Sequence, residues 1–286
     1  MNLQSRTAIV TGAGGGLGRS HALYLARHGA KVAINDLDQG VADKVAAEIK
    51  AAGGEAIGLA GSVTDEARVG SMVEKVMGAW GRVDILINNA GVLRDKSFAK
   101  MSMDDFRLVV DVHLMGSVIP TKAVWEIMRT QNYGRIVMTT SSTGLFGNFG
   151  QSNYGAAKMA LVGLMQTLAL EGQKHNICVN CLAPTAATAM TQGIIPAEGL
   201  ERLAPELVSP ALLKLVGDDA PTRAIVNAGA GHFARTHVTL THGARIGGGA
   251  DAGQQVIARW DEISDRQGEI VPAAGFAQTQ QELAAG

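Results

Sequence analysis

The feature that most constrains the fold of this chain is a regular alternation of short apolar runs with segments that have apolar residues at helical spacing. The apolar runs predict strands and the segments between them predict helices. The predicted strands are Thr7–Thr11, Lys31–Asp36, Glu55–Ala60, Val83–Asn88, Gly134–Thr140, Ile177–Ala183 and Ile225–Ala228. The predicted helices are Leu17–His28, Val41–Ala52, Asp65–Trp80, Met103–Arg129 and Asn153–Lys174.

Strands that are joined through helices pair in parallel, with right-handed crossovers between them. The pattern therefore predicts an α/β fold, a doubly wound parallel sheet of Rossmann type with helices on both faces in three layers. The composition agrees, because 47% of the residues are hydrophobic and only 4% are aromatic. A core of Ala, Val, Ile, Leu and Met is typical of such sheets.

The pattern weakens after Gly231. We predict a sheet domain over residues 1–231 and a C-terminal extension over residues 232–286, which packs on the same domain or on a neighbouring subunit. Within the extension, His237–Thr241 could form a strand, and residues 251–266 place Val256, Ile257, Trp260 and Ile263 on one apolar helix face. The Ala- and Gln-rich end from Pro272 is expected to be mobile or bound to a partner.

Charge and composition exclude several classes of protein. The formal net charge is −1 and 18% of the residues are charged, which excludes a disordered chain and a basic nucleic-acid binder. The N-terminus lacks the pattern of a signal peptide, and no uncharged apolar stretch approaches the length of a membrane span. We therefore expect a cytoplasmic protein with neither nucleic-acid nor membrane partners.

The two cysteines, Cys178 and Cys181, form a C-x-x-C sequence that could indicate metal or redox chemistry. They lie within a predicted buried strand. Residues three apart on a strand face opposite sides of the sheet, and a thioredoxin-like pair would need to lie at the start of a helix, so we interpret both cysteines as structural. No metal site is expected.

A glycine-rich loop follows the first predicted strand and opens the first predicted helix. The loop has the sequence Thr11-Gly-Ala-Gly-Gly-Gly-Leu-Gly18. Gly12 permits a tight turn, while Gly16 and Gly18 permit close approach of the backbone to a pyrophosphate and to the sheet. The helix N-terminus then presents free N–H groups to the anion. Gly12, Gly16, Leu17 and Gly18 are therefore candidate cofactor-binding residues, against the alternative of a merely flexible turn.

Asp36 ends the second predicted strand, eighteen residues after Gly18. An acidic side chain at this position can accept hydrogen bonds from the adenosine ribose hydroxyls, and it repels a 2′-phosphate. Its neighbours Asn35 and Leu37 supply no cation to offset the repulsion. The sequence therefore predicts NAD rather than NADP. The alternative is a solvated loop acid or a helix cap, a role for which Asp38 is better placed.

Tyr154 and Lys158 lie four residues apart at the start of a predicted helix, so their side chains share one face. A lysine ammonium near a tyrosine stabilises the phenolate and lowers the phenol pKa, as proton transfer to or from a hydroxyl requires. Ser141, at the end of the preceding strand, can hydrogen-bond the reacting oxygen. Alone, a Tyr-x-x-x-Lys pair is also common on solvated helix surfaces.

The complete set of motifs resembles the short-chain dehydrogenase/reductase family. The set comprises the glycine loop, Asn88-Asn89-Ala90-Gly91, Ser141 thirteen residues before Tyr154, and Tyr-x-x-x-Lys. The segments Asn88–Asp95, Val112–Leu114 and Gly147–Tyr154 more narrowly resemble the (3R)-hydroxyacyl-CoA dehydrogenase part of the peroxisomal multifunctional enzyme and its bacterial relatives.

The resemblance implies a role for each matching residue. Ser141, Tyr154 and Lys158 would be catalytic, with Tyr154 as general acid/base and Lys158 also holding the nicotinamide ribose. Asn88, Asn89, Ala90 and Gly91 would line the adenosine side. The sequence departs from the family pattern at several positions. His113 stands where an Asn is usual, and Ser62 beside Val63 replaces an adenine-contacting Asp. Thr185 replaces a Gly after Pro184, and Thr188 comes one residue early for the carboxamide contact. His113 is either a member of a proton relay or a packed core histidine.

The resemblance implies an NAD-dependent oxidoreductase that interconverts a secondary alcohol and a ketone, with a 3-hydroxyacyl-CoA/3-oxoacyl-CoA pair as the expected substrate. A steroid or small-alcohol dehydrogenase is the first alternative. An NAD(H)-binding regulatory protein without turnover is an alternative of another class, and the Ser-Tyr-Lys set argues against it. Apolar positions on the two long helices predict a homo-oligomer, a dimer or a tetramer. On the second of these helices they are Ala157, Ala160, Leu161, Leu164, Met165 and Leu168.

Overall fold

A computed structural model describes residues 2–187 and 201–284 of the chain. Its strands are β1 (Thr7–Val10), β2 (Lys31–Asp36), β3 (Ala56–Ala60), β4 (Ile85–Asn88), β5 (Gly134–Thr139), β6 (Ile177–Thr185), β7 (Ile225–Gly229) and β8 (His232–Thr236). The first helices are α1 (Gly16–Arg27), α2 (Gln39–Ala51), α3 (Glu66–Trp80), α4 (Met103–Val110) and α5 (Gly116–Gln131). They are followed by α6 (Ser142–Phe146), α7 (Ser152–Gly172), α8 (Ala211–Val216), α9 (Ala252–Ala258), α10 (Trp260–Ile263) and α11 (Phe276–Ala284).

The strands form one sheet in the order β3-β2-β1-β4-β5-β6-β7-β8. Neighbouring strands from β3 to β7 pair in parallel, as the sequence predicts. The strand order reverses between β1 and β4, where the first crossovers lead to one side of β1 and the later ones to the other. In open α/β sheets, ligands bind at this switch point, beyond the carboxyl ends of the strands. The predicted fold class is therefore confirmed.

Two apolar layers cover the two faces of the sheet. Adjacent residues of β2 illustrate the division, because Ile34 packs in one layer and Ala33 in the other. The first layer includes Leu25 and Ile49 from α1 and α2 and Leu212 from α8. The second includes residues of α3, α5 and α7, among them Val76, Met128 and Leu161. Burial on both faces explains why the strands are continuous apolar runs in the sequence.

The sheet ends in a hairpin that the sequence pattern does not indicate. Ala230 and Gly231, between β7 and β8, both have positive φ, 51° and 73°. Two such residues form the tight turn that joins antiparallel strands. The sheet therefore continues to Thr236, past the predicted boundary at Gly231, and the compact units of the chain are Met1–Arg235 and Thr236–Gly286. The predicted strand His237–Thr241 is wrong, since Leu240 forms only an isolated bridge with Ile270.

The second unit, Thr236–Gly286, has its own hydrogen bonds. Thr241 Oγ1 donates to Ile263 O at 2.9 Å, and Gln281 Nε2 donates to Thr241 O at 2.8 Å. The single helix predicted over residues 251–266 is instead two short helices, α9 and α10, with Arg259 between them. The segment after Pro272, which the sequence predicts to be mobile or partner-bound, contains α11.

Cys178 and Cys181 lie on β6, as predicted, and both are free thiols. Cys178 Sγ contacts Ala220 O at 3.6 Å, whereas Cys181 Sγ contacts Leu161 O of α7 at 3.8 Å. The two thiols thus face different layers. Within residues 2–187 and 201–284, no group of three or more His, Cys, Asp or Glu side chains has the arrangement of a metal site.

One continuous helical stretch of the described chain, Met103–Gln131, is long and apolar enough to cross a membrane by length and composition. It comprises α4, a π-helical turn over Asp111–Met115, and α5. Val124 and Met128 of α5 are fully buried in the apolar layer that also contains α3. The core helix of a doubly wound sheet has the same composition.

His21 is a fully buried titratable group on α1. Its Nδ1 lies 2.9 Å from Ser209 Oγ, and Ser209 Oγ lies 2.8 Å from Ser20 Oγ. No partner for Nε2 exists in the part of the chain that the structure describes. Burial lowers the pKa of His21 to about 3, so the ring is neutral in the folded protein at neutral pH.

We expect the free energy of unfolding to decrease as the pH falls below about 6.5. In that range the unfolded chain protonates His21 but the folded chain does not, until the pH approaches about 3. The loss is about 1.4 kcal/mol per pH unit for this one group. Urea unfolding at a series of pH values measures it. His21→Gln should remove this part of the pH dependence, whereas His232→Gln changes an exposed histidine and should retain it. Equal slopes for His21→Gln and the unsubstituted protein would contradict the assignment.

Candidate active site

The glycine loop lies at the switch point of the sheet, between β1 and α1. Gly12 has a φ of +60°, and a Cβ there would lie 2.8 Å from Ala90 Cα. A Cβ on Gly18 would lie 2.2 Å from Gly12 O. Both positions therefore require glycine. Gly12 is needed for its positive φ and for the close approach of the segment after β4, and Gly18 is needed for the close approach of α1 to the loop.

The N-terminus of α1 has the properties of an anion site. Its N-cap is Gly15, which offers no side chain to bind the free N–H groups, and a Cβ on Gly15 would meet no atom within 4 Å. The first turn, which contains Gly16, Leu17 and Gly18, therefore presents free donors and the positive end of the helix dipole to open space. This geometry fits the pyrophosphate of a dinucleotide.

Asp36 lies at the carboxyl end of β2, directly against the glycine loop. Its Oδ2 accepts a hydrogen bond from Gly14 N at 2.9 Å, and its Oδ1 accepts one from Leu37 N at 2.8 Å. Asp38, rather than Asp36, caps α2 by accepting from Val41 N at 3.0 Å. The structure thus removes the helix-cap alternative for Asp36 and places its carboxylate beside the candidate pyrophosphate site.

The segment Asn88–Gly91 binds the glycine loop from the β4 side. Asn89 Nδ2 donates to Thr11 O at 3.0 Å and to Gly12 O at 3.1 Å. Thr11 Oγ1 accepts from Asn89 N and Ala90 N at 3.0 and 3.1 Å. Asn88 Nδ2 donates to Thr121 Oγ1 of α5 at 3.0 Å. These two amide side chains therefore hold β1, β4 and α5 together. Sequence reasoning missed Thr11 as a partner, although it directly precedes Gly12.

Three other predicted cofactor residues lie on neighbouring elements. Ser62 Oγ pairs with Thr64 Oγ1 at 2.8 Å after β3. Val63 is buried against α5, where a Cβ on Gly116 would lie 2.6 Å from Val63 Cγ2. Pro184 pairs with Ala228 within the sheet. Thr188 lies outside the described residues.

Ser141, Tyr154 and Lys158 are brought together at the carboxyl end of β5. Ser141 caps α6, with Oγ accepting from Thr143 N at 3.2 Å. Tyr154 and Lys158 occupy the first two turns of α7, with Lys158 Nζ 5.5 Å from the centroid of the Tyr154 ring. Lys158 Nζ donates to Thr139 O, and Thr140 Oγ1 donates to Lys158 O at 2.7 Å. These two threonines were not among the predicted site residues.

Burial controls the protonation of this group. It raises the pKa of Tyr154, and the nearby charge of Asp95 acts in the same direction, whereas a hydrogen bond with Ser141 opposes both. Burial also lowers the pKa of Lys158 to about 7. The expected depression of the phenol pKa by the lysine ammonium is therefore wrong for the protein alone. The ammonium is directed to Thr139 O, and the cost of burying a phenolate is the larger effect.

His113 lies in the π-helical turn between α4 and α5 and packs edge-on against Tyr154. The ring centroids are 5.1 Å apart at an interplanar angle of 86°. His113 Nε2 lies 2.7 Å from Val92 O and 3.2 Å from Val92 N, while the buried Nδ1 has no hydrogen-bond partner among the described residues. Burial and the charge of Lys158 lower the pKa of His113 to about 3. A neutral ring that donates from Nε2 leaves Nδ1 as an acceptor beside the Tyr154–Lys158 pair. The ring is thus both a packed group and a member of the cluster.

The profile of the short chain dehydrogenase family matches residues 6–199 of this chain. A Mycobacterium tuberculosis protein named as a short-chain type dehydrogenase/reductase is 45% identical over 284 residues, which cover 96% of this chain and 98% of that protein.

Two solved structures are similar along most of the chain. Full-length peroxisomal multifunctional enzyme type 2 of Drosophila melanogaster has a TM-score of 0.83 and 38% identity, over 99% of this chain and 49% of that one. This chain therefore spans about half the length of that enzyme. A 7α-hydroxysteroid dehydrogenase, solved with NADH and 7-oxo glycochenodeoxycholic acid, has a TM-score of 0.75 and 28% identity, over 80% of this chain and 95% of that one.

Gly91 provides the space for the His113 ring, and this contact can be tested by unfolding experiments. A Cβ on Gly91 would lie 2.3 Å from His113 Cε1. We expect Gly91→Ala to lower the free energy of unfolding by about 1–3 kcal/mol, the cost of overpacking a filled site. Gly70→Ala on α3 is the matched control, because its Cβ would meet nothing within 4 Å. That change should stabilise the helix by roughly 0.5–1 kcal/mol. A fully stable Gly91→Ala protein would show that the ring is not held as described.

Proposed function

The chain belongs to the short-chain dehydrogenase family, oxidoreductases that act on CH–OH groups, and from that premise we propose that it interconverts a 3-hydroxyacyl-CoA and a 3-oxoacyl-CoA with NAD as cofactor. The observation that carries the proposal is the convergence of Ser141, Tyr154 and Lys158 at the carboxyl end of β5. The site faces the same edge of the sheet as the glycine loop, which is where a dinucleotide fits.

The protein's part in the reaction is to position the substrate oxygen and to move one proton. Ser141 and Tyr154 are the hydroxyl groups that can bind that oxygen together. In oxidation, the Tyr154 phenolate takes the hydroxyl proton, and in reduction the phenol returns it. Lys158 favours the phenolate when it is charged, and its pKa of about 7 makes this charge sensitive to pH near neutrality. A bound nicotinamide supplies the hydride chemistry.

The similarity to the peroxisomal multifunctional enzyme over 99% of this chain favours an acyl-CoA substrate. The similarity to the 7α-hydroxysteroid dehydrogenase supports a steroid alcohol as the second candidate. A screen that follows NADH absorbance with hydroxyacyl-CoA, hydroxysteroid and simple alcohol substrates distinguishes them. Turnover of the steroid or the simple alcohol alone would contradict the acyl-CoA proposal.

Asp36 is the residue to which we assign the preference for NAD. Asp36→Ala removes the carboxylate that would accept from the ribose hydroxyls and repel a 2′-phosphate. We expect the ratio of kcat/KM for NAD over NADP to fall about tenfold or more, which corresponds to roughly 1.4 kcal/mol.

Asp38→Asn is the matched control for Asp36, because it removes a carboxylate two residues away that caps α2. It should leave the cofactor ratio unchanged. An unchanged ratio in Asp36→Ala would remove this assignment.

Tyr154→Phe tests the proton transfer. The change removes the hydroxyl and keeps the ring that packs against His113, so we expect turnover to fall by roughly 10²–10⁴-fold or more. The dissociation constant for NAD should stay within about threefold, an energy change of under 1 kcal/mol. Tyr24→Phe on α1 is the control and should turn over normally. Turnover of Tyr154→Phe within tenfold of the unsubstituted enzyme would overturn the mechanism.

We also propose that the chain forms a homo-oligomer, but through fewer residues of α7 than the sequence predicts. Ala157, Leu161 and Met165 are buried in the core of the same chain, so they cannot form an interface. The solvent face of α7 instead presents Met159 and Leu170, both of them exposed.

We expect sedimentation at micromolar concentration to show a dimer or a tetramer, and Leu170→Glu to shift it towards the monomer, because a charge at an apolar interface is costly. Leu37→Glu, at another exposed leucine, should not change assembly. A monomer before any substitution would exclude the proposal.

A further inference from the structure

A chain of polar contacts lies beside the Ser141–Tyr154 pair and has no part in the mechanism above. Gln151 Nε2 donates to Asp95 Oδ2 at 2.7 Å. Gln151 Oε1 accepts from Thr143 Oγ1 at 2.9 Å and from Asn148 Nδ2 at 3.1 Å. The Gln151 side chain lies in a buried position, at 9% exposure. Because a carboxylate can only accept hydrogen bonds, Asp95 determines which way the amide of Gln151 points.

These contacts join three separate segments around the site. Asp95 belongs to the loop after β4, Thr143 to α6, and Gln151 is the N-cap of α7. Two further bonds strengthen the same junction, since Asn153 Nδ2 donates to Arg94 O at 3.0 Å and Lys96 N donates to Gly150 O at 2.9 Å. The first turn of α7 is thereby held against both the loop and α6.

The junction also determines where the two hydroxyl groups lie. Thr143, which binds Gln151 through its hydroxyl, donates its backbone N–H to Ser141 Oγ at 3.2 Å. Because the Thr143 N–H binds one lone pair of Ser141 Oγ, the hydroxyl proton of Ser141 can donate to another group. Tyr154 follows Gln151 by three residues, and its N–H donates to Asn153 Oδ1 at 2.7 Å. A shift of Gln151 would therefore move Ser141 and Tyr154 relative to each other.

We propose that Gln151, oriented by Asp95, is a positioning residue that fixes Ser141 at the start of α6 and Tyr154 in the first turn of α7 relative to each other. The proposal rests on the role given to Tyr154 under the proposed function. Small displacements of reacting groups have large effects on rate, about a hundredfold for 1 Å. Gln151 therefore affects turnover without touching the substrate.

The pKa of Tyr154 depends on the position of Ser141, so a titration of Tyr154 tests the proposal. Among the described residues, the groups that face Tyr154 are Asp95 from the loop after β4, His113 from the π-helical turn, Ser141 at the cap of α6, and Lys158 on its own helix. The hydrogen bond from Ser141 lowers the phenol pKa, against burial and Asp95, which raise it. Movement of Ser141 away from Tyr154 should therefore raise the pKa of Tyr154.

The test uses one substitution and its rescue. Gln151→Glu replaces the amide that donates to Asp95 with a carboxylate, and because an ionised carboxylate can only accept hydrogen bonds, this bond is lost. Adding Asp95→Asn restores the bond with donor and acceptor exchanged, because the new amide donates to the new carboxylate. The double variant also carries the same charge over these two positions as the unsubstituted enzyme, so a general electrostatic effect is controlled.

Two properties are measured for each variant. The first is the phenolate absorbance of the protein without substrate, read as the difference from the matching Tyr154→Phe protein; the chain has only three tyrosines, so this step can be resolved. The second is kcat on the substrate found by the screen, with the dissociation constant for NAD. Because the first measurement needs no substrate, an error in the proposed substrate leaves this test intact.

In Gln151→Glu we expect the Tyr154 titration to move to higher pH, and kcat to fall about tenfold or more with NAD affinity within about twofold. The double variant should recover both properties. A normal titration and kcat in Gln151→Glu, or a double variant as impaired as the single one, would overturn the proposal. If Gln151→Glu does not fold, Thr143→Val is the second test, because it removes the hydrogen bond from Thr143 Oγ1 to Gln151 Oε1. It should also move the Tyr154 titration to higher pH, and an unchanged titration would overturn the proposal.

Discussion

The hydrogen bonds between Thr11 and the start of the segment after β4 are the interaction on which this architecture depends. They join the ends of β1 and β4 at the one place where the strand order reverses, and the Asn89 side chain completes the connection by binding Thr11 O and Gly12 O. The glycine loop is thereby held open above the N-terminus of α1. Through the pairing of β1 with β4 and of β4 with β5, the loop is fixed relative to the candidate catalytic residues at the end of β5.

Burial, rather than pairing of opposite charges, controls the protonation of the candidate active site. His113 and Lys158 have lowered pKa values and Tyr154 a raised one, and burial is the largest cause in each case. All three groups are thus biased towards their neutral forms in the protein alone. A site of this kind responds strongly to any charge brought next to it, because little solvent is present to screen that charge. The polar junction at Gln151 keeps the geometry in place while those charges change.

Much of the fold could be predicted from the sequence, and the successes have a common cause. Strands such as Lys31–Asp36 are buried on both faces, so their sequence is a continuous apolar run whose ends are easily found. The failures lie where that signal is absent. The strand His232–Thr236 is exposed over most of its length and is not a continuous apolar run, so that signal does not distinguish it from a loop. The apolar face over residues 251–266 did not reveal the break at Arg259, because side-chain periodicity does not report a local change of backbone angle.

By itself, the sequence indicated the candidate site residues: the glycine loop and Asp36 by residue type and position, and Ser141, Tyr154 and Lys158 by their match to the motifs of the family. Only the tertiary structure decided what surrounds them. It assigned Asn88 and Asn89 to the junction of β1, β4 and α5, turned Lys158 towards Thr139 O, and brought Asp95 to Gln151 across 56 positions of the chain. The physical reason is that residue type and spacing specify local conformation, whereas hydrogen-bond partners and burial are set by elements that are distant in the chain and meet only when the sheet has formed.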